Sequence, residues 1–167
     1  MAAGTAHRPA RPLGQPPMAR KTNREKIALT SVSRSGGCAC GAVRFTTLAE
    51  PKRGGLCHCM TCRKAHAAAF NPFVVYAPKD VEITGAMSAW ASSPGYVRYF
   101  CGVCGARVLA ENSAGEGAQE YELSLGSFDE TGWFHPQYES WTVRREPWLA
   151  QLPTAQHPRE RAIDDAS

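Results

Sequence analysis

The sequence predicts a mainly β chain organised as one domain, and three observations carry that prediction. Short β-branched and aromatic runs recur between turn signals, among them Phe73-Val74-Val75-Tyr76 and Val81-Glu82-Ile83-Thr84. No stretch keeps the i, i+3, i+4 apolar spacing of a long helix. Seven cysteines fall into groups of two, three and two: Cys38/Cys40, Cys57/Cys59/Cys62 and Cys101/Cys104.

At 167 residues the chain has enough material for one hydrophobic core. It contains no run approaching the ~20 apolar residues of a membrane span. The formal charge of +4 is uneven: residues 1–30 hold six Lys/Arg against Glu25 alone, or +5, leaving −1 for everything that follows. The basic balance therefore belongs to the N-terminal segment and says little about a ligand of the folded part.

Taken in order, residues 1–34 read as a basic, Pro/Arg-rich disordered tail, because Pro9, Pro12, Pro16 and Pro17 interrupt any helix and no apolar period is present. Met18 heads a second plausible start. The domain is expected over 35–153. Gly36-Gly37-Cys38-Ala39-Cys40-Gly41 reads as a turn, with glycines where a metal knuckle needs positive φ. Ala42 to Thr47 alternates and reads as a strand. Pro51 to Gly55 reads as a loop delivering Cys57-His58-Cys59-Met60-Thr61-Cys62, and Arg63 to Ala69 as a short helix after it.

Phe73–Tyr76 and Val81–Thr84 are strands separated by the turn Ala77-Pro78-Lys79-Asp80. Ser92-Ser93-Pro94-Gly95 is a turn. Tyr96 to Phe100 is a strand feeding Cys101-Gly102-Val103-Cys104-Gly105, and Arg107 to Ala110 leads back out, which makes a zinc-ribbon hairpin. Asn112 to Ala118 is a Gly-rich loop, and Glu120 to Leu125 alternates polar with apolar as a half-buried strand. Gly132 to Pro136 is an aromatic loop, and Trp141 and Trp148 mark a last extended segment. Residues 154–167 read as a polar C-terminal tail.

The cysteine spacing favours metal over disulfides. Seven thiols would leave one unpaired, C-x-C pairs are poorly placed for an S–S bond, and the N-terminus carries no signal-peptide apolar run. A cytoplasmic location is expected on the same grounds. Iron–sulfur clusters typically use four cysteines each and leave no place for a set of three. Structural zinc wants four ligands in tetrahedral array, which Cys38, Cys40, Cys101 and Cys104 supply. Cys57, Cys59 and Cys62 then form a set of three, and three protein ligands leave a fourth position for water or substrate. Two zinc ions per chain are expected, one structural and one catalytic.

The chain resembles the glutathione-dependent formaldehyde-activating enzyme family, also called the CENP-V/GFA domain. The resemblance rests on Gly36-Gly37-Cys38-Ala39-Cys40-Gly41-Ala42-Val43-Arg44-Phe45, on Cys57-His58-Cys59-Met60-Thr61-Cys62-Arg63-Lys64 and on Phe100-Cys101-Gly102-Val103-Cys104-Gly105. Ala68-Ala69-Phe70, Ser92-Ser93-Pro94-Gly95, Leu125-Gly126-Ser127-Phe128-Asp129 and Trp148-Leu149 extend it over about 35–153. It implies a compact fold of several coiled antiparallel β-sheets, with the structural and catalytic zinc ions on the same four and three cysteines. It also implies carbon–sulfur bond formation between glutathione and formaldehyde. One departure is Glu139-Ser140, where many members carry a His followed by an apolar residue, and this touches substrate identity more than the metal.

A fourth thiolate is the natural soft ligand for zinc already held by three. The chain is therefore read as a carbon–sulfur lyase-type enzyme adding a zinc-bound small thiol to a small aldehyde. Arg63, Lys64 or a helix N-terminus is expected to support the developing oxyanion. His66, four residues after Cys62, is the alternative fourth ligand that would close the site, while His58 is expected to point away. The rival classes are a zinc-stabilised scaffold and a nucleic-acid module using the basic tail. The near-neutral folded part argues against nucleic acid.

Overall fold

The computed structural model describes residues 32–114 and 119–161. Most of the basic N-terminal segment (1–31), part of the Gly-rich loop (115–118) and residues 162–167 lie outside them. β1 (Arg34–Gly37), β2 (Arg44–Thr47) and β5 (Val81–Thr84) form a small antiparallel sheet. Eight strands form the large one: β3 (Arg53–Cys57), β4 (Asn71–Tyr76), β6 (Met87–Ser93), β7 (Tyr96–Cys101), β8 (Arg107–Asn112), β9 (Glu120–Ser124), β10 (Tyr138–Ser140) and β11 (Ala155–His157). Their spatial order is β11-β10-β3-β4-β9-β8-β7-β6. A short helix, α1 (Met60–His66), joins β3 to β4. The chain is mainly β, as the sequence predicts. Among the described residues no helix is long and apolar enough to cross a membrane.

The register of the large sheet sorts its side chains onto two faces. Val74 pairs with Leu123 and Leu123 with Leu109, so these three lie on one face. Each is 1% exposed or less, and they form the main core with Phe45 and Val81 of the small sheet and with Val43 just before β2. On the other face Arg53 pairs with Val75, Val75 with Glu122, Glu122 with Ala110 and Ala110 with Arg98. Period-two alternation then puts Cys57, Phe73 and Tyr96 on that face too. One face thus closes the core and the other carries a polar, cysteine-bearing floor.

Three local expectations are corrected. Arg53–Cys57 is not a loop but a strand inside the sheet, antiparallel to β4 and parallel to β10. Its glycines hid it: a Cβ on Gly55 would sit 2.8 Å from the Tyr138 ring and 2.9 Å from the Tyr138 carbonyl, so only glycine admits β10. The helix begins at Met60 rather than Arg63, and it stops at His66 despite the alanines that follow. Ala67 takes a left-handed conformation (φ 47°) and its N–H returns to Lys64, because pairing of Cys57 with Asn71 requires the chain to re-enter the sheet. Gly36 and Gly37 belong to β1, which confines the first knuckle to Cys38–Gly41. Of the polar C-terminal segment, Ala155–His157 adds β11 beside β10 in parallel register.

Candidate metal centres and the cavity they border

Two hairpins bring the first group of thiols together. The β1–β2 turn carries Cys38 and Cys40, and the β7–β8 turn carries Cys101 and Cys104. Gly41 (φ 79°) and Gly105 (φ 72°) follow the second cysteine of each turn in the left-handed conformation that reverses the chain. The four sulfurs lie within 4.8 Å of one another. Cys38 Sγ is 3.5 Å from Cys40 Sγ, which is 3.7 Å from Cys101 Sγ. Tetrahedral zinc with ligands at about 2.3 Å requires sulfur separations of about 3.8 Å, so the donor set fits that ion. The backbone N–H groups of Val43 and Val103 donate to Cys38 Sγ (3.2 Å) and Cys101 Sγ (3.4 Å). Burial pushes the Cys38 thiol up, but the Val43 N–H and the Cys40 and Cys101 sulfurs outweigh it and bring it to about 6.

The second group is built at the β3–α1 junction. Cys57 ends β3, Cys59 is the N-cap of α1, and Cys62 lies in its first turn; the three sulfurs again fall within 4.8 Å of one another. Cys59 Sγ accepts the Cys62 N–H at 3.3 Å, a bond that closes the C-x-x-C turn. Hydrogen bonds from Cys57 and Cys62 hold the Cys59 thiol far below the ordinary range. The shared contacts push Cys57 up to about 11 and Cys62 well upward. Either group of cysteines could hold a metal ion.

The two groups differ in what surrounds them. Cys57, Cys59 and Cys62 line a cavity of about 410 Å³ over the polar face of the large sheet, together with Arg98, Tyr96, Glu122, Tyr138 and Trp141. None of Cys38, Cys40, Cys101 and Cys104 lines it. Among the described residues, no histidine or carboxylate joins the three-thiol group, so His66 is not brought to it as a fourth ligand. Burial and the Arg107 and Arg98 guanidinium groups lower His66 to about 4 and keep its ring neutral.

The cation at the sulfurs is Arg98, which sequence reasoning missed. Its Nη2 lies 3.6 Å from Cys62 Sγ, its Nε donates to Ser92 Oγ at 3.0 Å, and only 5% of the residue is exposed. Arg63 is turned away, donating to the Arg144 carbonyl at 2.8 Å and pairing with Glu146. Neither Arg63 nor Lys64 lines the cavity. The one signal for Arg98 was its place two residues after Tyr96 and between apolar Val97 and Tyr99, which puts it on the opposite face from them.

His58 and Glu139 also find their places by parity. Glu139 lies between Tyr138 and Ser140, both on the cavity side, and so points away from the cavity. Both residues are 1% exposed, with His58 Nε2 2.9 Å from Glu139 Oε2. Arg145 Nε (3.0 Å), the Leu152 N–H (3.0 Å) and Gln156 Nε2 (3.3 Å) also donate to that carboxylate. Glu139 thus holds the C-x-C turn from behind and ties it to the C-terminal segment, whereas Ser140, the other half of that departure from the family pattern, lines the cavity. A Glu139→Ala variant leaves the buried His58 ring and the Leu152 N–H without their acceptor beside a buried void and is expected to lose about 3–5 kcal/mol of stability, read as a drop in the denaturant midpoint. A midpoint shift worth less than about 1 kcal/mol would deny Glu139 this role.

The model of the family described as "Glutathione-dependent formaldehyde-activating enzyme" matches residues 33–144. No match was found among curated proteins. Among solved structures, the crystal structure of a Rhodobacter sphaeroides protein is 19% identical over 59% of this chain and 90% of that one, with a TM-score of 0.49. The family match spans well over half of the sequence and takes in every cysteine of both groups, and on that ground the chain belongs to the glutathione-dependent formaldehyde-activating enzyme family.

Proposed function

We propose that this chain is a zinc-dependent carbon–sulfur lyase-type enzyme that adds a small thiol, glutathione or a similar molecule, to a small aldehyde such as formaldehyde. The observation that carries the proposal is the contrast between the two cysteine groups. The four-thiol group offers as many donors as tetrahedral zinc takes and lines no cavity, whereas the three-thiol group opens onto one with room for a substrate. Zinc held by Cys57, Cys59 and Cys62 would supply a soft fourth position that favours the substrate sulfur as thiolate.

The protein's own residues address the charge problem this creates. Three thiolates around a divalent ion carry −1, and a substrate thiolate makes that −2. The Arg98 guanidinium beside Cys62 lies where it offsets this charge in a site largely shielded from water. Phe73, Tyr138 and Trp141 give the cavity apolar walls, while Asn71, Ser92 and Ser140 offer polar partners for the rest of the thiol.

The test is metal and thiol titration of the purified chain. About two equivalents of zinc are expected per chain. In cobalt-substituted protein, glutathione is expected to raise the sulfur-to-metal absorption at one site, with proton release and tighter binding as pH rises towards the free thiol's value of about 8.5. If no small thiol changes the spectrum, and formaldehyde consumption matches the uncatalysed rate, the reading fails.

A further inference from the structure

The polar floor of the cavity holds a second functional set beyond the cysteines. Tyr96 on β7 and Glu122 on β9 both line it, and the Tyr96 hydroxyl hydrogen-bonds the Glu122 carboxyl. Arg98 joins this pair to the thiols. Its guanidinium carbon lies 4.7 Å from the Tyr96 ring centre, and its Nη2 lies 3.6 Å from Cys62 Sγ. The register explains why the set is fixed: Arg98, Ala110 and Glu122 form one cross-strand row, and the small Ala110 leaves the space that Tyr96 and Arg98 occupy.

We infer that Tyr96 is a catalytic residue of the thiol addition, the proton donor to the oxygen that forms when the aldehyde carbon is attacked, and that Glu122 positions it and restores its proton. The inference rests on the proposed reaction at this same cavity. The step balances as follows. The substrate thiolate gives an electron pair to the carbonyl carbon, forming the C–S bond. The C=O π pair moves to oxygen, which takes the phenol proton of Tyr96, giving a hydroxymethyl thioether. Tyr96 regains a proton from the Glu122 carboxyl, which is resupplied by the proton the thiol gave up on binding. The reverse sequence cleaves the adduct.

The surroundings suit both groups to this work. Burial, followed by the proximity of Glu122, pushes the Tyr96 hydroxyl well above its ordinary value, so it stays protonated and able to donate. Burial likewise pushes the Glu122 carboxyl up, against the lowering pull of its bond to Tyr96 and of Arg53 and Arg98. A phenol is a donor of suitable geometry for an oxyanion, and a positioned acid is worth about 10²–10⁴ in rate.

The experiment compares wild type, Tyr96→Phe and Glu122→Gln as zinc-loaded proteins with glutathione and formaldehyde, and repeats thiol binding on their cobalt forms. Tyr96→Phe removes one oxygen and keeps the ring under Arg98. It is expected to lower turnover at least about 100-fold while glutathione affinity, read from the cobalt spectrum, stays within about threefold. Glu122→Gln keeps an acceptor for the Tyr96 hydroxyl and is expected to lower turnover about tenfold, again without loss of thiol binding. Turnover of Tyr96→Phe within threefold of an active wild type would overturn the inference and leave the thiol-addition reading intact. A wild type that neither binds glutathione nor exceeds the uncatalysed rate would overturn both.

Discussion

Cys101→Ser is expected to unfold the domain. Cys101 is 1% exposed, ends β7, and anchors its hairpin by donating its N–H to the Ala106 carbonyl and accepting the Gly105 N–H, both at 2.9 Å. Its sulfur meets Cys40 Sγ at 3.7 Å across a separation of 61 residues, so the four-thiol group ties the small sheet to the far end of the large one. Binding of zinc to such a set is worth about 10–16 kcal/mol in small peptides, while a whole domain is stable by about 5–15 kcal/mol. Losing one of four ligands removes a share of binding energy comparable with the whole stability of the fold. The expected readout is aggregation, or loss of the cooperative thermal transition near the wild-type temperature, with the metal content falling. A Cys101→Ser protein that melts within a few degrees of wild type would show that the fold does not depend on this group.

The parts of this fold that were legible in the sequence are those where one local pattern decides the outcome. Phe73–Tyr76 is an apolar run because both faces of β4 are covered, and the Cys101–Cys104 knuckle is a turn because its spacing and glycine allow little else. β3 was not legible, since Arg53-Gly54-Gly55 has the composition of a loop. Only the approach of Tyr138, more than eighty residues away, gives those glycines a strand's role. The extent of α1 was set by the register between Cys57 and Asn71, a long-range constraint that overrode the helix propensity of Ala67 to Ala69.

The candidate site divides in the same way. Cysteine spacing separated a group of four from a group of three, and the sulfur positions cluster in those two sets. The polar side of the cavity escaped notice because alternation reports polarity and not what the polar face meets. Glu120 to Leu125 reads from its alternation only as a half-buried strand, yet Glu122 on its polar face lines the cavity. Arg98 and Tyr96 were hidden in the same manner within β7. Of the Glu139-Ser140 departure from the family pattern, Glu139 sits on the opposite face, where it secures His58, while Ser140 lines the cavity.

Cys59→Ser is expected to abolish thiol addition while leaving the fold in place, and the local structure makes that separation sharp. Cys59 is the N-cap of α1, and its side chain accepts the Cys62 N–H at 3.3 Å. Serine is among the best N-cap residues, so the substitution keeps the cap and with it the helix that carries Cys62. What it removes is a soft ligand, leaving two thiolates and a hydroxyl that binds zinc poorly at neutral pH. The expected protein melts within about 2–4 °C of wild type, a shift worth roughly 1 kcal/mol at this size. It should hold one equivalent of zinc instead of two, and consume formaldehyde and glutathione no faster than the uncatalysed mixture. Cys57→Ser and Cys62→Ser should match it in activity. If Cys59→Ser instead melts as low as Cys101→Ser, the three-thiol group is holding the fold together in the way the four-thiol group does, and an open reacting position on it is no longer tenable.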